Sequence, residues 1–217
     1  FIMKLAPLGV GAALAASVAE HGWQVIVPLL KLVGSLYFAL LIFLVAVLYP
    51  VCRIFKIPVR SFLTRIKSAV LLAFATTSSE SAYPMAMEAM EKFGVPRRIS
   101  SFVLPMGYSF NLDGSTLYLA MASVFVAQAA GVDLSIGQQL TMMLTLMLTT
   151  KGVAAVPRAA IVVLSGTLAA FGLPLEGVAL ILGVDEFMDM ARTAVNLLGN
   201  CLATAVIARA EGIQLVE

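Results

Sequence analysis

"ATTSSESAYP", residues 75–84, decides the fold of this chain. It is a polar knot inside an apolar run, 66–92, long enough for one helix or for two half-helices. Ser and Thr hydroxyls compete for backbone hydrogen bonds and proline removes a donor, so the run is expected to break here. Arg53, Lys56, Arg60, Arg65 and Lys67 lie toward its start, and Lys92, Arg97 and Arg98 toward its end. Basic residues gather on the cytoplasmic side of membranes. A segment with two basic ends therefore has both ends on one face, and it must enter and return rather than cross. Exposed backbone at membrane depth is tolerated only where it is buried in protein or lines a polar cavity.

The composition supplies the membrane. Of the 217 residues, 61% are hydrophobic and only 12% charged, and the mean hydropathy is +1.00. Soluble domains carry about a quarter charged residues, so this chain lacks the polar surface to cover a water-soluble globule. A net charge of +2 without a basic stripe argues against a nucleic-acid partner. Cys52 and Cys201 read as small hydrophobes rather than as a disulfide or metal pair. His21 sits in a polar break with no partner at ligand spacing. The opening "FIMKLAPLGV" is unlike a signal peptide and reads as a cut into a longer membrane protein.

Apolar stretches of about 17–25 residues can span a bilayer. Residues 2–20 and 24–52 give two such spans, the second long and tilted, and 101–130 and 175–208 give two more. The stretch 138–173 mirrors 66–92. Its flanks "GVDLSIGQQ" and "FGLPLEG" carry no Lys or Arg, and its centre "TTKGVAAVPRAA" is interrupted by Gly152 and Pro157. It is expected to be a second re-entrant hairpin, entering from the outside. On this assignment Lys4, Arg53, Lys56, Arg60, Arg65, Lys67, Lys92, Arg97, Arg98 and Arg209, ten of the fourteen basic residues, share the inner side. The expected fold is an all-α, multi-span membrane protein with two opposed re-entrant hairpins forming an inverted repeat. That is the layout of secondary transporters, whose sites lie near the midplane between the tips. Residues 1–52 form two spans and 53–217 the core that carries the site.

The last span contains "DMARTAVNLLGN", residues 189–200. Asp185, Asp189, Arg192, Asn196 and Asn200 recur at helical spacing, and Thr193 joins them. Charges inside a bilayer cost several kcal/mol each unless paired or hydrated. A structural Asp189–Arg192 pair is the plain account. The sharper one makes Arg192 a planar fork for a carboxylate and Asp189 a partner for an ammonium, which together suit an acidic amino acid. In "YSFNLDGSTLY", Asn111, Asp113 and Gly114 interrupt an apolar helix. The break frees carbonyls beside a negative charge, as a bare cation requires. Ser78 and Ser79 offer hydroxyls and helix N-terminal amides to an anion.

The four motifs "TTSSES", "NLDGS", "KGVAAVP" and "DMARTAVNLLGN", in this order, resemble the dicarboxylate/amino acid:cation symporters, the glutamate transporter family. The likeness extends over essentially the whole chain, which looks like the C-terminal part of such a protein without its early spans. The resemblance implies that Arg192 holds the substrate's side-chain carboxylate, with Ser115 nearby. It implies that Asp189 and Thr193 take the amino group, and that Asn196, Ser78 and Ser79 take the α-carboxylate. Backbone around Val156 and Pro157 would close from outside. Gly107, Ser109, Asn111, Asp113, Asn196 and Asn200 would form the cation set. An elevator-like slide of the core, a homotrimer and an inner-membrane location follow from the same likeness, with no organic cofactor. Asp189 favours glutamate or aspartate over C4-dicarboxylates such as succinate, which need no ammonium partner.

This sequence departs from the family pattern at three places. Asn200 stands where sodium-coupled members carry aspartate, Glu80 replaces a serine in the inner tip, and Arg158 replaces a small residue in the outer tip. A carboxylate in a dehydrated tip has a raised pKa and can carry a proton. The coupling ion is therefore expected to be the proton, with Glu80 its carrier and sodium the alternative. An anion channel fits poorly with two closing tips. An intramembrane hydrolase has no support, since there is no HExxH pair and no Cys/His dyad.

Overall fold

The computed structural model describes residues 22–152 and 159–216, together with 8, 9, 11, 12, 14–16, 18 and 19. The described residues form helices and connections, with no strand among them. In chain order the helices are α1 (Trp23–Ile54), α2 (Val59–Thr76), α3 (Ser79–Lys92), α4 (Arg97–Phe110), α5 (Asp113–Ala129), α6 (Ile136–Thr149), α7 (Ala159–Ala170), α8 (Glu176–Leu182) and α9 (Asp185–Ala210). Trp23–Ile54, the α4–α5 run Arg97–Ala129, and Asp185–Ala210 are long and apolar enough to cross a bilayer. The span expected at 2–20 lies largely outside the described residues.

The helices divide between two compact units. One takes the residues up to Phe38 together with Ser115–Asp189, and the other takes Ala39–Gly114 with the residues from Met190 onward.

In the second unit the stretch expected at 66–92 forms two packed helices that begin earlier, because α2 starts at Val59. Arg60 and Arg65 therefore lie within the helix rather than before it. The reason is packing. Phe62, Ile66, Ala69 and Ala73 recur at three- and four-residue steps and bury one stripe of α2. That stripe meets Ala82, Ala86, Ala89 and Met90 of α3, and the two helices pack along their length. Small residues on both faces allow the close approach that membrane helices rely on. The stripe Leu197, Cys201, Ala205 and Ala208 of α9 joins the same core.

The break falls at Thr77 and Ser78. Pro84 does not end α3 but sits inside it. Its ring forfeits one helical hydrogen bond, and the buried alanines on either side hold the helix together. The C-terminal segment ties the base of this hairpin. The Val216 amide donates to the Phe93 carbonyl (2.9 Å), the Ser61 hydroxyl donates to the Val216 carbonyl (3.0 Å), and Leu215 is buried.

Within α1, Leu44–Leu48 form a π-helical turn, and the Tyr49 amide reaches back to the Leu44 carbonyl. Pro50 follows directly, and a residue that cannot donate is a common cause of such a bulge.

In the first unit, α6 and α7 pack as a second hairpin, with Thr150–Gly152 as a short 3-10 turn at its tip. These helices are Ile136–Thr149 and Ala159–Ala170, and 153–158 lie outside the described residues. A reciprocal Ser135–Gln138 capping box starts α6. Tyr37 donates to the Phe187 carbonyl across 150 positions (2.9 Å). The span expected at 175–208 is broken into α8 and α9 at Gly183 and Val184. That break lies inside an apolar run and carries no polar residue to announce it.

Candidate functional site

The polar residues of α9 face inward. Asp185 is 2% exposed, Asp189 8%, Arg192 3%, Thr193 7%, Asn196 5% and Asn200 0%. The spacing argument therefore identified a buried seam. It stopped one step short. Thr204, four residues beyond Asn200, is also fully buried and donates to the Asn200 carbonyl at 2.7 Å.

The interruption between α4 and α5 falls at Asn111 and Leu112, where the sequence placed it. The Gly107 carbonyl still accepts from the Asn111 backbone amide at 2.9 Å, so the helical ladder of α4 runs up to the break. The interrupted strand of residues presses on α9 within one unit. The Asn111 side-chain Nδ2 donates to Asn200 Oδ1 at 3.0 Å, and the Gly114 backbone amide donates to Asn196 Oδ1 at 2.8 Å. Three glycines permit this approach. A Cβ on Gly107 would strike the Asn200 carboxamide, and one on Gly114 would strike the backbone of Arg192. A Cβ on Gly199 would stand 2.6 Å from Asp113 Oδ2. The sequence reading missed Gly199. A lone glycine just before a polar residue of the seam was the available signal.

Gly107, Asn111, Asp113, Asn196 and Asn200 are thus brought together. They combine one carboxylate, three carboxamides and the carbonyls of a helix end, an oxygen-rich set of the kind hard cations use. Two of the amide oxygens are already engaged. Asn200 is fully buried, and its Nδ2 has no hydrogen-bond partner among the described residues. Ser109 lies in the last turn of α4, but no side-chain hydrogen bond joins it to this group among the described residues.

The inner tip is built from its own hydroxyls. Thr77 adopts a left-handed conformation (φ 51°, ψ 27°), rare for a β-branched residue and a mark of local strain. Ser78 caps α3 by accepting from the Ser81 amide at 3.2 Å, and its hydroxyl donates to Glu80 Oε2 at 2.9 Å. Thr76 and Ser81 share a hydroxyl bond of 2.8 Å. Tyr108 of α4 donates to the Ser79 carbonyl at 3.2 Å, which ties the tip to the helix that ends at the Asn111 break. Glu80 is exposed. The dehydrated setting expected for it is not supplied by the described residues, because it points away from the alanine face that packs on α2.

Val156, Pro157 and Arg158 lie outside the described residues. Ser115, half-buried in the first turn of α5, and Asp189 belong to the first unit, whereas Ser78, Ser79, Arg192, Thr193 and Asn196 belong to the second. Along α9 itself, Asp189 lies one turn before Arg192 and Thr193.

Comparison with known proteins gives a consistent picture. A model of the sodium:dicarboxylate symporter family matches residues 1–210. The chain is 48% identical over 211 residues to a proton/sodium-glutamate symport protein of Bacillus caldotenax, covering 97% of this chain and 50% of that protein. It is 50% identical over 210 residues to the proton/glutamate-aspartate symporter of Escherichia coli K12, covering 97% and 48%. It is 45% identical over 212 residues to a C4-dicarboxylate transport protein of Bacillus subtilis 168, covering 97% and 50%. The chain spans about half the length of the curated relatives it matches.

Proposed function

The chain belongs to the sodium:dicarboxylate symporter family, and from that premise we propose that it is the transport core of a cation-coupled symporter for glutamate and aspartate. Membership makes it part of a membrane transporter rather than an enzyme. The observation that carries the substrate reading is the burial of Asp189, Arg192, Thr193 and Asn196 along one stripe of α9.

In this reading Arg192 receives the side-chain carboxylate, with Ser115 beside it. Asp189 and Thr193 receive the ammonium. Asn196 and the first-turn amides at Ser78 and Ser79 receive the α-carboxylate, where a helix N-terminus favours negative charge. Val156 and Pro157 belong to the outer lid. The hairpins α2–α3 and α6–α7 are re-entrant and opposed, as halves of an inverted repeat. Residues 1–52 precede a core, 53–217, that moves as an elevator within a homotrimer in the inner membrane.

The cation set is Gly107, Ser109, Asn111, Asp113, Asn196 and Asn200. Asp113 is the only carboxylate in that set, and Asn200 is an uncharged amide engaged by Asn111. This supports coupling to protons ahead of sodium. Glu80 is the candidate carrier, as the one carboxylate of the tip and a hydrogen-bond partner of Ser78. Similarity to a C4-dicarboxylate transport protein keeps that substrate class as the second reading. Asp189 weighs against it, because an amino-acid substrate brings an ammonium to this carboxylate and a C4-dicarboxylate does not.

The test is uptake of labelled glutamate by the full-length protein in vesicles, first with a pH gradient and no sodium, then with sodium and no pH gradient. Concentration of glutamate under the pH gradient alone is expected. Arg192→Lys should cut uptake about 30-fold or more, since an ammonium cannot reproduce the bidentate fork. Succinate uptake without glutamate uptake would overturn the substrate assignment. A Glu80→Gln protein that still concentrates glutamate under a pH gradient would remove Glu80 as carrier.

A further inference from the structure

A groove in the first unit has no role in the transport reading. Its volume is about 640 Å³, within the range of small-molecule sites. One wall is the α1 stripe Val25, Pro28, Leu32 and Ser35, spaced by three, four and three residues, and Lys31 lies on the same side. Residues of α5 such as Val124 and Phe125 form the facing wall, and Met143 of α6 and Leu180 of α8 contribute to the lining. Lys31 is the only charged residue of that lining among the described residues. It is exposed and forms no ion pair among the described residues.

The position of this lysine calls for a counter-charge. The most apolar window of Trp23–Ile54 has mean hydropathy 2.5 and is only 17% buried inside the protein, so most of α1 presents apolar side chains to its surroundings. Trp23, 77% exposed, suits the membrane–water interface. Lys31 follows eight residues later, about 12 Å deeper at 1.5 Å per residue. A bilayer half-thickness of about 15 Å leaves it short of the midplane. From that depth a lysine runs its apolar stem toward the headgroups. At this level the abundant counter-charge is a phospholipid phosphate, and in an anionic lipid no headgroup cation already neutralises it.

We propose that this groove is a binding site for an anionic phospholipid, with Lys31 holding the headgroup phosphate and the apolar walls of α1 and α5 holding an acyl chain. Ser35 and Gln128, also in the lining, supply polar contacts beside the lysine. The proposal needs only the membrane setting, so it stands apart from the substrate assignment.

The experiment is photolabelling of the full-length protein in nanodiscs. The probe is phosphatidylglycerol bearing a diazirine on its acyl chain, compared with phosphatidylcholine carrying the same chain. Labelling of α1 and α5 peptides by the phosphatidylglycerol probe is expected to fall about fivefold in Lys31→Gln, the weight of one lysine near an anionic lipid. Lys31→Arg should restore it, and Lys67→Gln, in the basic region of α2, should leave it unchanged. The phosphatidylcholine probe should label weakly and equally in all variants. Equal labelling of wild type and Lys31→Gln, equal labelling by both lipids, or a groove covered by another polypeptide segment and closed to both probes would each overturn the proposal.

Discussion

Replacing Gly114 by alanine tests whether the start of α5 presses on the backbone of α9. The added methyl would lie 2.8 Å from Arg192 Cα and 3.0 Å from its carbonyl carbon, with the carbonyl oxygen closer still. All three are backbone atoms of a helix, so no flexible side chain can swing aside. Overpacking of this kind costs about 1–3 kcal/mol. Separating the two segments also strains the 2.8 Å bond from the Gly114 amide to Asn196 Oδ1, and a buried acceptor left unmet costs about 1–3 kcal/mol more. A total near 3 kcal/mol is expected, or a fall of about 6–12 °C in melting temperature at the usual 2–4 °C per kcal/mol. The control is Gly34→Ala, in α1, where a Cβ meets nothing within 4 Å. There alanine should be neutral or stabilising by up to about 1 kcal/mol, because glycine is the poorer helix former. Thermal unfolding of the purified full-length protein in detergent, read by loss of the monodisperse species, makes the comparison. If Gly114→Ala melts with wild type while Gly34→Ala behaves as expected, the close approach of α5 to α9 is wrong.

Other substitutions probe the same unit. Asn111→Ala removes the partner of the fully buried Asn200 carboxamide and should cost about 1–3 kcal/mol in the same melt. Ser78→Ala removes the cap of α3 and should cost about 1 kcal/mol, visible as faster hydrogen exchange at the Ser81 amide. Thr77→Gly, which suits a φ of 51°, should melt within about 1 kcal/mol of wild type. Thr77→Val keeps the β-branch, loses the hydroxyl bond to the Thr76 carbonyl, and should melt lower than the glycine variant.

Much of the site was legible because it is written in short-range periodicity. The polar stripe of α9 follows from helical steps alone, and each predicted member is buried. The breaks at Thr77–Ser78 and Asn111–Leu112 follow from local backbone chemistry. What failed was equally local. The break at Gly183–Val184 was hidden because a hydropathy window averages over a turn made of apolar residues. Pro84 was read as a terminator, yet an alanine-lined interface carries α3 through it. The start of α2 was placed too late because Arg60 and Arg65 are charged and exposed, off the buried stripe.

Composition and spacing by themselves determined that this is a helical membrane protein, that its helices break near Thr77–Ser78 and Asn111–Leu112, and which face of the last helix is polar. These properties are fixed by overall composition or by residues a few positions apart. Only the tertiary structure decided that Asn111 meets Asn200 across 89 positions, that Gly107, Gly114 and Gly199 are spacers rather than hinges, that Glu80 is exposed, and that Lys31 borders a groove. Those outcomes depend on which helix packs against which. That choice is set by summed burial and backbone clearance between distant segments, and no local pattern encodes it.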